Sequence, residues 1–152
     1  MNVILITIGN PLRGDDGAAH IVPSLMTIPA RTLAVQQLTP EIAAELAGSD
    51  LAVFIDASAD AAEVQITDPA RDAAPVLSHS SSPEEILAIA KRVFGFSGQA
   101  FCCAIPASNF NAGESISEQG RNHAQAAARE LDRTLVEIAP ATNATETHPA
   151  AQ

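Results

Sequence analysis

The sequence predicts a single α/β domain, a three-layer sandwich in which helices cover both faces of a mostly parallel five-stranded sheet. Short apolar segments alternate along the chain with segments of helical periodicity. The apolar segments are continuous, which is typical of parallel strands buried on both faces. The chain has 152 residues, of which 47% are hydrophobic, so it is long enough for one core and too apolar to be disordered.

The first half of the chain contains three predicted strands and two predicted helices. Thr39 and Pro40 are typical of a helix start, where Thr caps the helix and Pro takes its first position, and Gly48 is typical of a helix end. Pro23 interrupts a helical pattern and is expected to kink or shorten that helix. The elements are strands over 3–8, 32–38 and 51–55, the last ending at Asp56, and helices over 15–27 and 40–47.

The second half contains two more strands, two more helices and a tail. Pro83 suits the first turn of a helix, and the two glutamates that follow it suit the positive end of the helix dipole. After Ile138 the sequence has no apolar periodicity. We therefore predict one domain over residues 1–138 and a disordered tail over 139–152. The elements are a short strand over 63–67, a helix from residue 83, a strand over 99–105 and a long helix over 114–137.

The composition excludes several classes of partner. A formal net charge of −10 argues against binding to nucleic acid or to an anionic membrane surface. No signal peptide precedes the first strand and no apolar stretch is long enough to span a bilayer, so we expect a cytoplasmic protein. We also expect it to be a monomer. Cys102 and Cys103 are adjacent in an apolar strand and point to opposite faces, so we expect them to be reduced.

The segment Gly9–Gly17, with the sequence Gly-Asn-Pro-Leu-Arg-Gly-Asp-Asp-Gly, is the most informative part of the chain. It connects a strand to a helix, which is the layout of a phosphate-binding loop. Asp15 and Asp16 stand where such a loop carries Lys and Ser or Thr, so the site repels an anion. Carboxylate oxygens suit a metal cation instead. The alternative is that the two aspartates only cap the helix.

Three candidate ligands follow strands of the predicted sheet. Asp16 comes just after the first strand, Asp56 ends the third, and His79 lies in the loop after the fourth. Because ligands bind at the carboxyl ends of strands in an open parallel sheet, these side chains are expected to converge. Two carboxylates and one imidazole form an open site for a divalent transition metal. Taken singly, Asp56 is as typical of a turn residue as of a ligand, and a lone histidine in a serine-rich loop, such as His79, is more often exposed than a ligand. No role is assigned to the other histidines, His20, His123 and His148.

A serine or a cysteine nucleophile would be an alternative to this metal site. The serines around His79 would allow a Ser-His-Asp triad, but the sequence contains no Gly-x-Ser-x-Gly elbow to expose the Ser. Cys102 and Cys103 lie in a hydrophobic strand with no cationic neighbour in sequence, so neither is an activated thiol.

The segment from Ile8 to Gly17 resembles the N-terminal signature of the nickel–iron hydrogenase maturation proteases. The resemblance continues at residues 51–57, an apolar strand that ends in Asp-Ala, and at Ser78-His79, which a helix follows. It also includes Ala-Ile-Pro at 104–106 before a long helix, and covers residues 2–137. The family's members are endopeptidases that remove a C-terminal extension from the hydrogenase large subunit once nickel is installed.

The resemblance implies the chemistry of this site. The family's metal ligands fall on Asp16, Asp56 and His79. The resemblance implies that these are also the catalytic residues and that the chain is a hydrolase similar to an aspartyl-type endopeptidase. The resemblance implies that nickel is supplied by the large-subunit precursor and is not a resident cofactor. Either nickel polarises the scissile carbonyl or a carboxylate deprotonates the attacking water.

The sequence departs from the family pattern in two places. Ala18 and Ala19 stand where the family often has Gly after the aspartate pair. The second family motif is replaced by Gln-Gln-Leu-Thr-Pro-Glu at residues 36–41, which is similar to the branch serving bidirectional, NAD-reducing hydrogenases. Two other functions remain alternatives: a nickel sensor or chaperone that uses the same ligands without cleavage, and a doubly wound nucleotide-binding protein. The latter is disfavoured because residues 9–14 do not read Gly-x-Gly-x-x-Gly.

Overall fold

The computed structural model describes residues 1–69 and 81–147, with side chains described up to residue 139. The described part contains five strands, three α-helices and two 3₁₀ helices. The strands are β1 (Val3–Ile8), β2 (Arg31–Val35), β3 (Leu51–Ser58), β4 (Gln65–Thr67) and β5 (Gln99–Pro106). The helices are α1 (Val22–Leu25), α2 (Pro83–Val93), α3 (Glu118–Thr147) and the 3₁₀ helices Gly14–Ile21 and Pro40–Leu46.

The five strands form one sheet in the order β2-β1-β3-β5-β4. Four of the strands are parallel, and β4 pairs antiparallel with β5 at one edge. The chain adds β2 on one side of β1 and β3 on the other, so the direction of winding reverses between β1 and β3. Ligands of doubly wound folds bind at such a point. The predicted fold class is therefore confirmed.

Apolar side chains of the sheet pack against helices on both faces. On one face, strand residues pack against an alanine-rich side of α3 that includes Ala124, Ala127 and Leu131. On the other face, they pack against α2 and the 3₁₀ helix Pro40–Leu46, through Ile86 and Leu46 among others. Removing these aliphatic side chains from water is the main source of stability, because each contributes about 1.5–3 kcal/mol when fully buried.

The structure corrects several element boundaries. The helix predicted over 15–27 is a 3₁₀ helix followed by the single turn α1, in which Pro23 occupies the first turn. The segment Pro40–Leu46 is also a 3₁₀ helix. Asp56 does not end the third strand, because backbone pairing with β5 continues β3 to Ser58, whereas pairing with β1 stops at Asp56.

Helix α3 begins at Glu118, four residues later than the predicted start at residue 114. It continues to Thr147 and so includes residues 139–147 of the segment predicted to be a disordered tail. Residues 139–147 contain three alanines but also three threonines and a proline, so intrinsic helix propensity does not account for this extension. In the described residues, no helix has both the length and the apolar character needed to cross a membrane.

Candidate active site

A cavity of about 730 Å³ lies at the carboxyl edge of the sheet, beside the reversal point between β1 and β3. Two carboxylates, those of Asp16 and Asp56, line it. Its walls come from the end of β1, the segment after β2, the ends of β3 and β5, and the start of α2. The other lining residues are Ile8, Gly9, Gln36, Gln37, Leu38, Phe54, Ala57, Ser58, Ser81, Ser82, Pro83, Cys102, Cys103 and Ala104. The structure therefore brings Asp16 and Asp56 to one site, as predicted from the sequence.

The turn after β1 holds Asp16 in place. The backbone N–H of Asn10 donates a hydrogen bond to Asp16 Oδ2 over 2.8 Å. Gly9 has a φ of +146°, which favours glycine, and a Cβ at this position would lie 1.8 Å from the backbone oxygen of Asp16. Glycine is required here because the turn and the 3₁₀ helix are in direct backbone contact.

Asp56 projects from β3 into the cavity. Ile8 is its register partner on β1 and Ala104 its partner on β5, so protein surrounds it on two sides while the cavity leaves it open to solvent. Desolvation, and secondarily the negative charge of Asp16, raise the pKa of Asp56 to about 6, against a lowering effect of the Ala57 N–H. Two carboxylates that repel each other in one cavity form a site that favours a cation.

Asp15 points away from the cavity and has a structural role. Its side chain is 1% exposed and accepts hydrogen bonds from the backbone N–H and hydroxyl of Ser117, at 2.8 and 2.9 Å to Oδ1. The Asn109 N–H donates to Oδ2 over 3.3 Å, and the Ser117 hydroxyl in turn accepts from the Gly120 N–H at the start of α3. Burial raises the pKa of Asp15, but the hydrogen bonds from Ser117, Asn109 and Ser108 outweigh this and hold the pKa below its usual value.

Neither of the two aspartates caps the helix that contains them. The residue at the cap position of the 3₁₀ helix Gly14–Ile21 is Arg13, which makes no side-chain cap hydrogen bond. Asp15 instead supports the residue that caps α3, and Asp16 binds the turn after β1. The helix-capping alternative is therefore wrong for the 3₁₀ helix in which both residues lie.

His20, to which no role is assigned from the sequence, stabilises the same turn through hydrogen bonds of both ring nitrogens. Its Nε2–H donates to the backbone oxygen of Gly9 over 2.7 Å, and the hydroxyl of the fully buried Thr7 donates to Nδ1 over 2.8 Å. The imidazole therefore fixes the peptide that precedes Asn10, whose N–H binds Asp16. A polar residue on the inner face of an otherwise apolar helix segment was the only sequence signal for this role.

Cys102 and Cys103 are both free and line the cavity. Burial, followed by nearby negative charges, raises the pKa of the Cys102 thiol to about 12. Burial and the neighbouring Cys102 raise the pKa of Cys103 to about 12 as well. Both thiols are therefore protonated at neutral pH, which agrees with the prediction that neither is an activated nucleophile.

His79 lies outside the described residues. Within the described ranges 1–69 and 81–147, no group of three or more His, Cys, Asp or Glu side chains is arranged to hold a metal ion. Ser81, two residues after His79 in the chain, lines the cavity that contains Asp16 and Asp56. The role of His79 as third ligand stays a prediction.

Gly9→Ala is expected to lower the free energy of unfolding by about 3 kcal/mol, because the new methyl group meets the Asp16 backbone and the positive φ is strained. The 3₁₀ helix must move, so Asp16 is displaced as well. Gly48→Ala is the matched control, since Gly48 also has a positive φ but no atom lies within 4 Å of its Cβ position. Chemical denaturation of both variants checks this, and equal stability losses would show that the steric contact is unimportant.

Comparison with known proteins connects this arrangement to solved structures. No protein-family model and no curated protein sequence matches the chain. The maturation protease HycI from Thermococcus kodakarensis KOD1 superposes with a TM-score of 0.65 at 22% identity, over 87% of this chain and 90% of that one. The maturating endopeptidase HybD from E. coli has a TM-score of 0.66 at 17% identity, over 91% and 94%. HybD from Thermococcus kodakarensis has a TM-score of 0.66 at 20% identity, over 88% and 99%. The chain therefore has the fold of the nickel–iron hydrogenase maturation proteases, as the resemblance in its sequence implies.

Proposed function

We propose that this chain is an endopeptidase that removes the C-terminal extension of a nickel–iron hydrogenase large-subunit precursor. The observation that carries the proposal is the pair of carboxylates, Asp16 and Asp56, which face one solvent-accessible cavity in a fold shared with maturation proteases. They come from different elements, and the repulsion between them is relieved when a cation binds.

Asp16, Asp56 and His79 complete the coordination of the nickel ion that the precursor carries. Three oxygen and nitrogen ligands leave positions for groups from the precursor and for water. The shared coordination sphere places the scissile peptide in the cavity, so that a bimolecular step becomes effectively unimolecular. Nickel acts as part of the substrate in this scheme.

Two routes to hydrolysis are compatible with the site. The ion polarises the scissile carbonyl, or a carboxylate takes a proton from the attacking water. Without nickel bound, Asp56 has a pKa of about 6, which is in the range that suits a general base near neutral pH, whereas coordination of nickel would lower this pKa and favour the first route. The nucleotide-binding alternative has no support, because the cavity is lined by the carboxylates of Asp16 and Asp56 and, among the described residues, by no Lys or Arg.

Cleavage is expected to depend on nickel in the precursor, since two carboxylates and one imidazole hold the free ion weakly and the two thiols in the cavity lining are protonated at neutral pH. The test uses precursor from cells grown with and without nickel, mixed with chelator-treated protein and examined by mass spectrometry. We expect loss of the extension only from the nickel-loaded precursor. Equal cutting of both would contradict the nickel dependence, and tight binding of free nickel without any cutting would favour a sensor or chaperone.

Asp60→Asn is the matched control for Asp56→Asn, the variant expected to lose cleavage. Asp60 is an exposed aspartate that follows β3 but does not line the cavity. It carries the same charge as Asp56 four residues away, so its loss changes the net charge equally. Asp60→Asn should cut at the wild-type rate, whereas loss of activity in this variant would point to a general charge effect.

A further inference from the structure

The outer edge of β2 is unpaired in the described part of the chain. β2 is the first strand in the sheet order, so β1 is its only strand neighbour. Arg31, Thr32 and Ala34 are exposed, whereas Leu33 and Val35 pack against the apolar core on one face of the sheet. An edge of this kind presents a row of backbone donors and acceptors that water satisfies in the free protein and with which another extended chain can pair.

The register identifies which backbone groups face outward. The Gly9 N–H donates to the Val35 oxygen over 3.0 Å, so the backbone groups of Val35 face β1. Because successive residues of a strand direct these groups to opposite sides, Leu33 also faces β1, while Thr32 and Ala34 face away from it. Among the described residues, no backbone partner is found for the N–H or carbonyl groups of Thr32 and Ala34.

This edge leads directly into the candidate active site. Gln36 and Gln37, which follow β2, line the cavity that contains Asp16 and Asp56. A second cavity of about 290 Å³ lies beside the end of β2 and is lined by Gly9, Pro11, His20, Ala34, Val35 and Gln36. Gly9 and Gln36 line both cavities, so the two lie next to each other between the end of β2 and the carboxylates.

We propose that the peptide to be cut binds as an added strand along the outer edge of β2, with one apolar side chain in the 290 Å³ cavity and its scissile bond at Asp16 and Asp56. The alternating outward groups of Thr32 and Ala34 match an extended backbone. Pro11, Ala34 and Val35 supply the apolar wall of the side-chain site. This inference rests on the proposed peptidase function and adds where and in what conformation the substrate binds.

Ala34→Pro tests the inference because it removes one outward N–H, and proline is tolerated where the N–H of an edge strand faces solvent. With nickel-loaded precursor we expect KM to rise at least tenfold and kcat to change less than twofold. Thr32→Pro removes the other outward N–H, at a residue that lines neither cavity, and is used if Ala34→Pro unfolds, which circular dichroism detects. Thr32→Val keeps that N–H and is the matched control, expected to retain the wild-type KM.

Hydrogen exchange gives a readout that does not require cleavage. Nickel-free precursor in excess should slow exchange of the Thr32 and Ala34 amides at least tenfold and leave those of Leu33 and Val35 unchanged. If wild-type protein cuts but both proline variants are folded with unchanged KM, the added-strand inference is wrong and the peptidase proposal stands. If the edge is protected by the precursor but the nickel-loaded precursor is never cut, the edge binds the precursor and the peptidase proposal fails. Protection that appears in the protein alone as its concentration rises would mean that a second copy occupies the edge, which would overturn the inference.

Discussion

Asp56→Asn is expected to abolish precursor cleavage while making the protein more stable at pH 7. The substitution removes a ligand and general base from the cavity, so we expect the cleavage rate to fall at least about a thousandfold. It also removes a carboxylate that pays for desolvation and for repulsion from Asp16. Because solvent in the cavity screens this repulsion, the gain in stability is about 1 kcal/mol, or roughly 2–4 °C in Tm.

The stability gain has a defined pH dependence. The folded-state pKa of Asp56, about 6, is above the ordinary value of 3.8, so the folded protein holds this proton more tightly than the unfolded chain. The contribution of protonated Asp56 to the free energy of unfolding of the wild type is therefore fully present below pH 4 and is lost as pH rises through 6. Asp56→Asn should match the wild type near pH 4 and exceed it above pH 6. A variant that is less stable than wild type at pH 7 would contradict the raised pKa.

Asp16→Asn separates the effect of the Asp16 charge on the pKa of Asp56 from the hydrogen bond that Asp16 accepts at the turn. Asparagine keeps a carbonyl oxygen for the Asn10 N–H, so the turn should be retained while the charge is lost. Without the Asp16 charge, the pKa of Asp56 should fall below 6, which carboxyl NMR titration measures. An unchanged titration of Asp56 would show that the two carboxylates do not interact.

Asp15→Asn is expected to be the most destabilising single substitution of a polar residue near the site. The new amide N–H₂ group meets the N–H donors of Ser117 and Asn109 and leaves at least one of them unsatisfied. We expect a loss of about 3 kcal/mol, or roughly 6–12 °C in Tm. Because the pKa of Asp15 is lowered in the folded state, its contribution is present above pH 4 and is lost as pH falls through the folded-state value.

The adjacent Asp16→Asn is the matched control for this prediction, since it makes the same chemical change one residue away. We expect Asp15→Asn to unfold at lower temperature with the folded fraction still able to bind precursor, and Asp16→Asn to unfold near the wild-type temperature without cutting. Thermal unfolding at pH 7 and at pH 3 distinguishes the two. Similar unfolding temperatures for both variants would show that the hydrogen bonds to Asp15 contribute little.

The amino-acid sequence by itself determined the layers of the fold and one edge of the site. Continuous apolar runs such as Val3–Ile8 and Leu51–Ile55 can be buried only as inner strands, and the helical segments between them force parallel connections. Because parallel strands end at the same edge, the sequence places Asp16 and Asp56 on one edge of the sheet. That they share one cavity follows from the adjacency of β1 and β3, which the structure shows.

Asp16 is the candidate ligand predicted from the sequence, but only the tertiary structure shows why the two adjacent aspartates differ. Neighbouring residues of a 3₁₀ helix point about 120° apart, so Asp15 and Asp16 must have different surroundings, but either could have been the inner one. The segment from Ser108 to Ser117 packs over Asp15 and supplies its hydrogen-bond donors from about a hundred residues away. The support of Gly9 by His20 and the raised pKa of Asp56 likewise depend on contacts between separate elements, which composition and periodicity do not encode.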